Sequence, residues 1–236
     1  MNRIISITLI ILMIIVSFVQ GKHNIYNVNK QSILLYDDFS KERTDVYYYY
    51  STNTGHYEYE NGILKVWDDS QHCGATYVKI KSIESFNPPI FTYIEFKVIT
   101  LRRGNPSFGF LLQKDGTQYH GTVINLCTDY LIPNVGIYNN GGEWNFNLNY
   151  MEFVNEWVIV KMNILPYESE IKMPNFYRKF KTTITKTDNL NFFITGGTCC
   201  YGCSCGGCVD SGQSVLGFDW LLITNVKTYI TKSFVL

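Results

Sequence analysis

From Ile33 onward the chain reads as short runs of alternating apolar and polar residues separated by turn formers. Ile33–Tyr36, Tyr47–Tyr50, His56–Tyr59 and Ile63–Trp67 come first. Glu60-Asn61-Gly62 joins the last two, and Asn-Gly between alternating runs signals a tight hairpin, because both residues accept the left-handed backbone that turn requires. The pattern continues through Ala75–Ile80, Thr92–Leu101, Ser107–Gln113, Gly121–Cys127, Val135–Tyr138 and Trp144–Leu148. It ends with Glu156–Leu165, Phe176–Thr185, Asn189–Thr195 and Ser214–Val226. Turns fall at Lys114-Asp115-Gly116, Asn139-Asn140-Gly141-Gly142 and Gly196-Gly197. No segment holds a helical period over three turns. The prediction is all-β: a two-sheet antiparallel β-sandwich over residues 33–226, with a loose lead-in at 22–32 and a short tail at 227–236.

The last run, Ser214–Val226, carries one acid, Asp219. Strict alternation places Phe218, Trp220 and Leu222 on one face and Asp219, Leu221 and Ile223 on the other. A carboxylate on a buried strand must be paired, hydrogen-bonded or metal-bound. Asp219 is therefore either a structural acid or a metal ligand. Trp157 and Trp220 are expected in the core. At the other end, Met1-Asn2-Arg3 precedes the apolar run Ile4–Val19, and Val19-Gln20-Gly21 supplies small residues for cleavage. Residues 1–21 thus read as a secretory signal peptide. The run is shorter than the roughly 20 residues of a membrane span, with an uncleaved signal anchor as the alternative. No second run of that length follows, so no span is expected after cleavage.

Composition narrows the partners. Lys plus Arg and Asp plus Glu both number 20, and this balance leaves no electrostatic footprint for nucleic acid. Aromatics make up 16%, with 18 Tyr and 15 Phe, a supply that suits strands and also stacking on flat ligands. Tyr138 and Trp144 flank the Asn139–Gly142 turn, and Trp67 shares a strand face with Lys65. These three are the candidate contacts for sugar rings. Against this, Trp144, Phe146 and Leu148 alternate as a core face does. Arg178, Lys179 and Lys181 suit either an acidic glycan or a charged edge strand that resists pairing.

Five cysteines, Cys199, Cys200, Cys203, Cys205 and Cys208, lie within Gly196–Gly212, and Cys73 and Cys127 stand apart. Behind a signal peptide they read as disulfides; in a reducing compartment the same spacing would suit a metal. Seven is odd, so one thiol is unpaired or intermolecular. The four histidines show no metal spacing, and no Ser-His-Asp arrangement appears.

Four pieces carry a resemblance: Tyr36-Asp37-Asp38-Phe39, Glu60-Asn61-Gly62-Ile63-Leu64, Glu156-Trp157-Val158-Ile159-Val160 and Gly217-Phe218-Asp219-Trp220. In this order they resemble the concanavalin A-like lectin and glucanase superfamily, laminarinase-like members above all. The resemblance implies a jelly roll. It also implies a structural calcium held by Asp219 and the main chain near Gly62, hard oxygen donors that suit this ion. The contrary reading has Asp219 capping backbone amides. Glucanases of this type place a Glu-x-Asp-x-x-Glu acid pair on one strand face, and a retaining mechanism needs the two carboxylates about 5–5.5 Å apart. The strand that should hold them, Gly121–Cys127, has no acid. Glu58 and Glu60 alternate on the hairpin strand with no acid following. The expectation is a secreted, non-enzymatic, carbohydrate-binding module. A surface or virion-type assembly scaffold and a divergent glycan hydrolase or lyase are the alternatives, and the oligomeric state stays open.

Overall fold

Alternation is realised strand by strand in the computed structural model, which describes residues 32–52, 54–68, 77–100, 107–114, 118–127, 134–139, 142–147, 154–197 and 215–227. Among these are fifteen strands. The first eight are β1 (Ile33–Asp37), β2 (Tyr47–Ser51), β3 (Gly55–Glu60), β4 (Ile63–Asp68), β5 (Tyr77–Ser82), β6 (Ile90–Thr100), β7 (Ser107–Lys114) and β8 (Gln118–Cys127). The rest are β9 (Asn134–Asn139), β10 (Gly142–Asn147), β11 (Val158–Leu165), β12 (Glu168–Met173), β13 (Phe176–Lys181), β14 (Asn191–Gly197) and β15 (Val215–Thr224). The described residues contain no α-helix.

An eight-stranded sheet runs β13-β12-β11-β6-β15-β4-β3, with β1 beside β15; a seven-stranded sheet runs β10-β9-β8-β7-β14-β5-β2. The strand pairs are antiparallel. The expected two-sheet sandwich is what forms. In β11, Val158, Val160, Met162 and Ile164 are buried while the residues between them are not, the period of two that a half-solvated sheet demands. The Asn61-Gly62 hairpin joins β3 to β4, both residues having positive φ, 54° and 71°.

The core between the sheets is knit by phenylalanines. Phe108 of the seven-stranded sheet meets Phe96 at 4.9 Å and Phe218 at 5.4 Å, centroid to centroid. The Asp-Asp-Phe segment serves this core. Asp37 Oδ1 accepts the Phe39 amide at 2.9 Å, and Phe39 turns with φ 48° to bury its ring edge-on against Phe218. Burial raises the Asp37 carboxyl above the ordinary range, against the Phe39 amide, Tyr47 and Arg43. The Tyr47 hydroxyl and Asp37 Oδ2 stay outside hydrogen-bond geometry. A second contact between the sheets is polar: the Thr122 hydroxyl donates to Ser169 Oγ at 2.8 Å, fully buried.

Beside this core the sheet edges β2 and β3 are joined by tyrosines. Tyr47 is buried, Tyr49 stacks on Tyr57 at 5.0 Å, and the Tyr49 and Tyr59 hydroxyls share a 2.8 Å hydrogen bond. The Arg43 amide donates to the Tyr49 hydroxyl at 3.0 Å.

Three expectations are corrected. Strict alternation fails in β15: Phe218 pairs with Phe96 but Trp220 pairs with Glu95, so Asp219 is the extra residue of a β-bulge. The bulge reverses the phase. Phe218, Leu221 and Ile223 enter the core between the sheets, while Trp220 and Leu222 are buried on the opposite side. Trp220 donates from Nε1 to buried Glu95 Oε2 at 2.7 Å. Trp157 is only half-buried, with the Lys97 ammonium 4.9 Å above its ring. Finally, β12 was not expected as a strand. Its outward positions Glu168, Glu170 and Lys172 are charged, leaving Ile171 and Met173 as the apolar signal.

Candidate functional site

The register of the seven-stranded sheet aligns residues far apart in sequence into two rows on the face turned away from the core. One row is Tyr48, Lys81, Phe193, Gly109 and Val123, contributed in turn by β2, β5, β14, β7 and β8. The neighbouring row is Tyr50, Lys79, Thr195, Ser107 and Asn125. Residues two apart on a strand share a face and lie about 6.6 Å apart, and strands are spaced about 4.8 Å. Each row therefore spans about 19 Å of the sheet, of which the β2 end is the exposed part.

The β2 end is the open end. Tyr48 is 61% exposed and Tyr50 55%, whereas Tyr47 between the sheets is 2%. Phe193 and Val123 are buried further in. The Lys79 ammonium lies 5.9 Å over the Phe193 ring, and burial, reinforced by the Lys81 charge, pushes its pKa down. Ser107 Oγ and Thr195 Oγ1 share a 3.0 Å hydrogen bond. This face offers aromatic surface, hydroxyls and two cations. None of the ten positions is a carboxylate or an imidazole, so the rows hold no glucanase-type carboxylate pair.

The sequence-level candidates do not converge here. Trp67 lies in β4 of the other sheet, half-buried, on the side of Lys65, with His56 stacked on it at 5.4 Å. Tyr138 in β9 pairs with Glu143, and Trp144 in β10 with Ile137, at the far edge of the seven-stranded sheet from β2. Cys127 ends β8 opposite Asn134. Cys73, Cys199, Cys200, Cys203, Cys205, Cys208 and residues 1–21 lie outside the described residues.

The strand expected to carry the glucanase acids is β8, in the body of this sheet. Its Thr122 and Ile124 are buried toward the core and its outward phase begins Gly121, Val123. Glu60 instead pairs with Lys65 on the other sheet. The basic run forms the edge strand β13, where Lys179 meets Glu168 at 2.8 Å, as a charged edge does.

Asp219 is half-buried at its bulge, one residue beyond the Phe218–Leu64 pairing of β15 with β4. Leu64 follows the Asn61-Gly62 turn by two residues. Burial, Asp38, Asp219 and Asp37 together raise the Tyr36 phenol. Among the described residues no three His, Cys, Asp or Glu side chains converge as a metal site. Asp219 supplies one carboxylate oxygen donor, and the main-chain carbonyls near Gly62 would supply others, donors of the kind calcium takes.

No protein-family model matches the chain, and no curated protein does. Among solved structures, a β-glucanase from Bacillus licheniformis superposes with a TM-score of 0.59 at 15% identity, over 80% of this chain and 97% of its own. A β-1,3-1,4-glucanase (lichenase) from a mouse hindgut metagenome gives 0.60 at 12%, over 81% and 99%. The κ-carrageenase from Pseudoalteromonas carrageenovora, in complex with an oligotetrasaccharide of κ-carrageenan, gives 0.59 at 12%, over 85% and 98%. The chain shares the two-sheet jelly-roll fold of these proteins.

The two-row face was missed because its strongest local signal, the run Tyr47-Tyr48-Tyr49-Tyr50, hides an inside–outside alternation among identical residues. No helix among the described residues is long and apolar enough to cross a membrane.

Proposed function

We propose that this chain is a secreted carbohydrate-binding β-sandwich that holds its ligand on the two-row face without a glucanase acid pair. The observation carrying this reading is the exposure of Tyr48 and Tyr50 beside a surface lined with hydroxyls and cations and free of carboxylates at its ten positions. Aromatic faces cover the C–H faces of sugars, and polar groups beside them fix orientation. The absence of any acid from β8 supports binding over hydrolysis. The superposed β-glucanase and κ-carrageenase support glycan as the ligand class. The signal-like residues 1–21 support secretion, which in turn favours disulfides for the cysteines.

The test is a glycan array followed by calorimetry on the hits. Tyr48→Ala/Tyr50→Ala is expected to weaken binding roughly tenfold or more, as loss of aromatic anchors does. Tyr177→Ala, an exposed tyrosine on the other sheet, should leave it unchanged. Folded protein that binds no glycan, or binds regardless of Tyr48 and Tyr50, refutes the reading. Trp144→Ala and Tyr138→Ala then report whether the far strands of the same sheet take part.

A calcium ion at Asp219 with main-chain oxygens near Gly62 belongs to the same proposal. Millimolar calcium is expected to raise the thermal midpoint, because a ligand bound only by the native state stabilises it. Asp219→Asn should abolish the increment. Identical melts in calcium and in EDTA would dismiss the ion.

A further inference from the structure

We infer that the two-row face is built for an anionic glycan, one bearing sulfate or carboxylate groups, and that Lys79 and Lys81 are its anion-binding residues. This deepens the glycan reading above and rests on it. The two lysines occupy alternate positions of β5, so both project from the same side of the sheet. Lys81 stands directly opposite Tyr48 and Lys79 directly opposite Tyr50. Each exposed ring is thereby matched with one cation, at the cross-strand spacing of about 5 Å. The unit repeats along the strand after about 6.6 Å. An aromatic–cation pair repeated in this way fits a chain whose sugar faces and anionic groups also repeat.

Among the described residues these cations have no ion-pair partner. Glu60 and Glu168 on the other sheet are paired with Lys65 and Lys179. The ten positions of the two rows carry two lysines and no acid. Lys79 is held there despite partial burial, against the repulsion of Lys81, with the Phe193 ring as its neighbour. Two like charges kept side by side without a counter-ion among the described residues repel each other, and a bound anion relieves that repulsion.

The experiment compares three oligosaccharides on the oxidised full-length protein by calorimetry: sulfated κ-carrageenan, carboxylated oligogalacturonate and neutral laminarin. At least one anionic ligand is expected to bind roughly tenfold or more tightly than the neutral one, and rising salt should weaken that binding. Which anionic ligand binds identifies the anion. Lys79→Gln/Lys81→Gln should cut anionic binding roughly tenfold, while Arg178→Gln/Lys181→Gln, on the edge of the other sheet, leaves it intact. Loss of binding in the second pair instead would show attraction to any basic surface and overturn the inference. Laminarin binding equal to or tighter than both anionic ligands, lost in Tyr48→Ala/Tyr50→Ala but kept in Lys79→Gln/Lys81→Gln, would overturn it while leaving the glycan reading standing. No binding to any of the three sinks the inference, and a blank glycan array alongside would sink the glycan reading too.

Discussion

Gly109→Ala is expected to lower the free energy of unfolding by about 3 kcal/mol, the upper end of ordinary single substitutions. Gly109 has φ +148°, a conformation that side-chain-bearing residues rarely adopt. A Cβ there would stand 2.3 Å from the Thr122 carbonyl oxygen and 2.9 Å from the Val123 Cα. Both atoms belong to the backbone of the paired strand β8, so neither can swing aside as a side-chain tip does. Relief requires prising β7 from β8 at the centre of the seven-stranded sheet. Gly217→Ala is the contrast: its Cβ would meet the Ile99 Cδ1 tip at 3.1 Å, which can rotate away. Denaturant melts with unchanged slope should show a several-fold larger loss for Gly109→Ala than for Gly217→Ala. Equal losses would mean that the close approach of β7 and β8 is unimportant.

Trp220→Phe is the second large effect, with an expected loss of about 2 kcal/mol. The substitution keeps most of the apolar ring and removes the indole N–H that meets Glu95 Oε2 at 2.7 Å in a fully buried setting. Removing one partner of a buried hydrogen bond costs about 1–3 kcal/mol. Trp220→Ala adds the loss of packing and should reach about 4 kcal/mol. A double-mutant cycle with Glu95→Leu, which removes the acceptor, isolates the pair; a coupling near zero would show that the indole acts through packing alone.

Much of the architecture was legible because it rests on local signals. Asn61-Gly62 announces its own hairpin, and the alternation in β11 declares which side chains face inward. The phase of β15 was not legible. Asp219 becomes a bulge only because β6 offers one residue where β15 has two, a fact about two strands rather than one. Trp157 was misjudged because size alone suggested burial, whereas Lys97 covers its ring at a half-open position. Polar β12 shows how a strand with a solvated face and a short apolar set passes for a loop. The candidate site was hidden for the deepest reason. Tyr48, Lys81, Phe193, Gly109 and Val123 become neighbours only through registers among five strands, and no spacing in the sequence encodes that adjacency.

The tyrosine joint between β2 and β3 bears on how tightly the face can bind. Because β2 alternates, Tyr47 and Tyr49 point inward and are immobilised, Tyr47 by burial and Tyr49 by the Arg43 amide, the Tyr59 hydroxyl and the Tyr57 ring. Tyr48 and Tyr50 sit on the same five-residue backbone, so the strand presenting them is already ordered before any ligand arrives. An edge strand would otherwise be the part of the sheet most prone to fray. Here the entropy of arranging the platform is lost during folding rather than at the moment of recognition, and this preorganisation favours affinity without adding a contact.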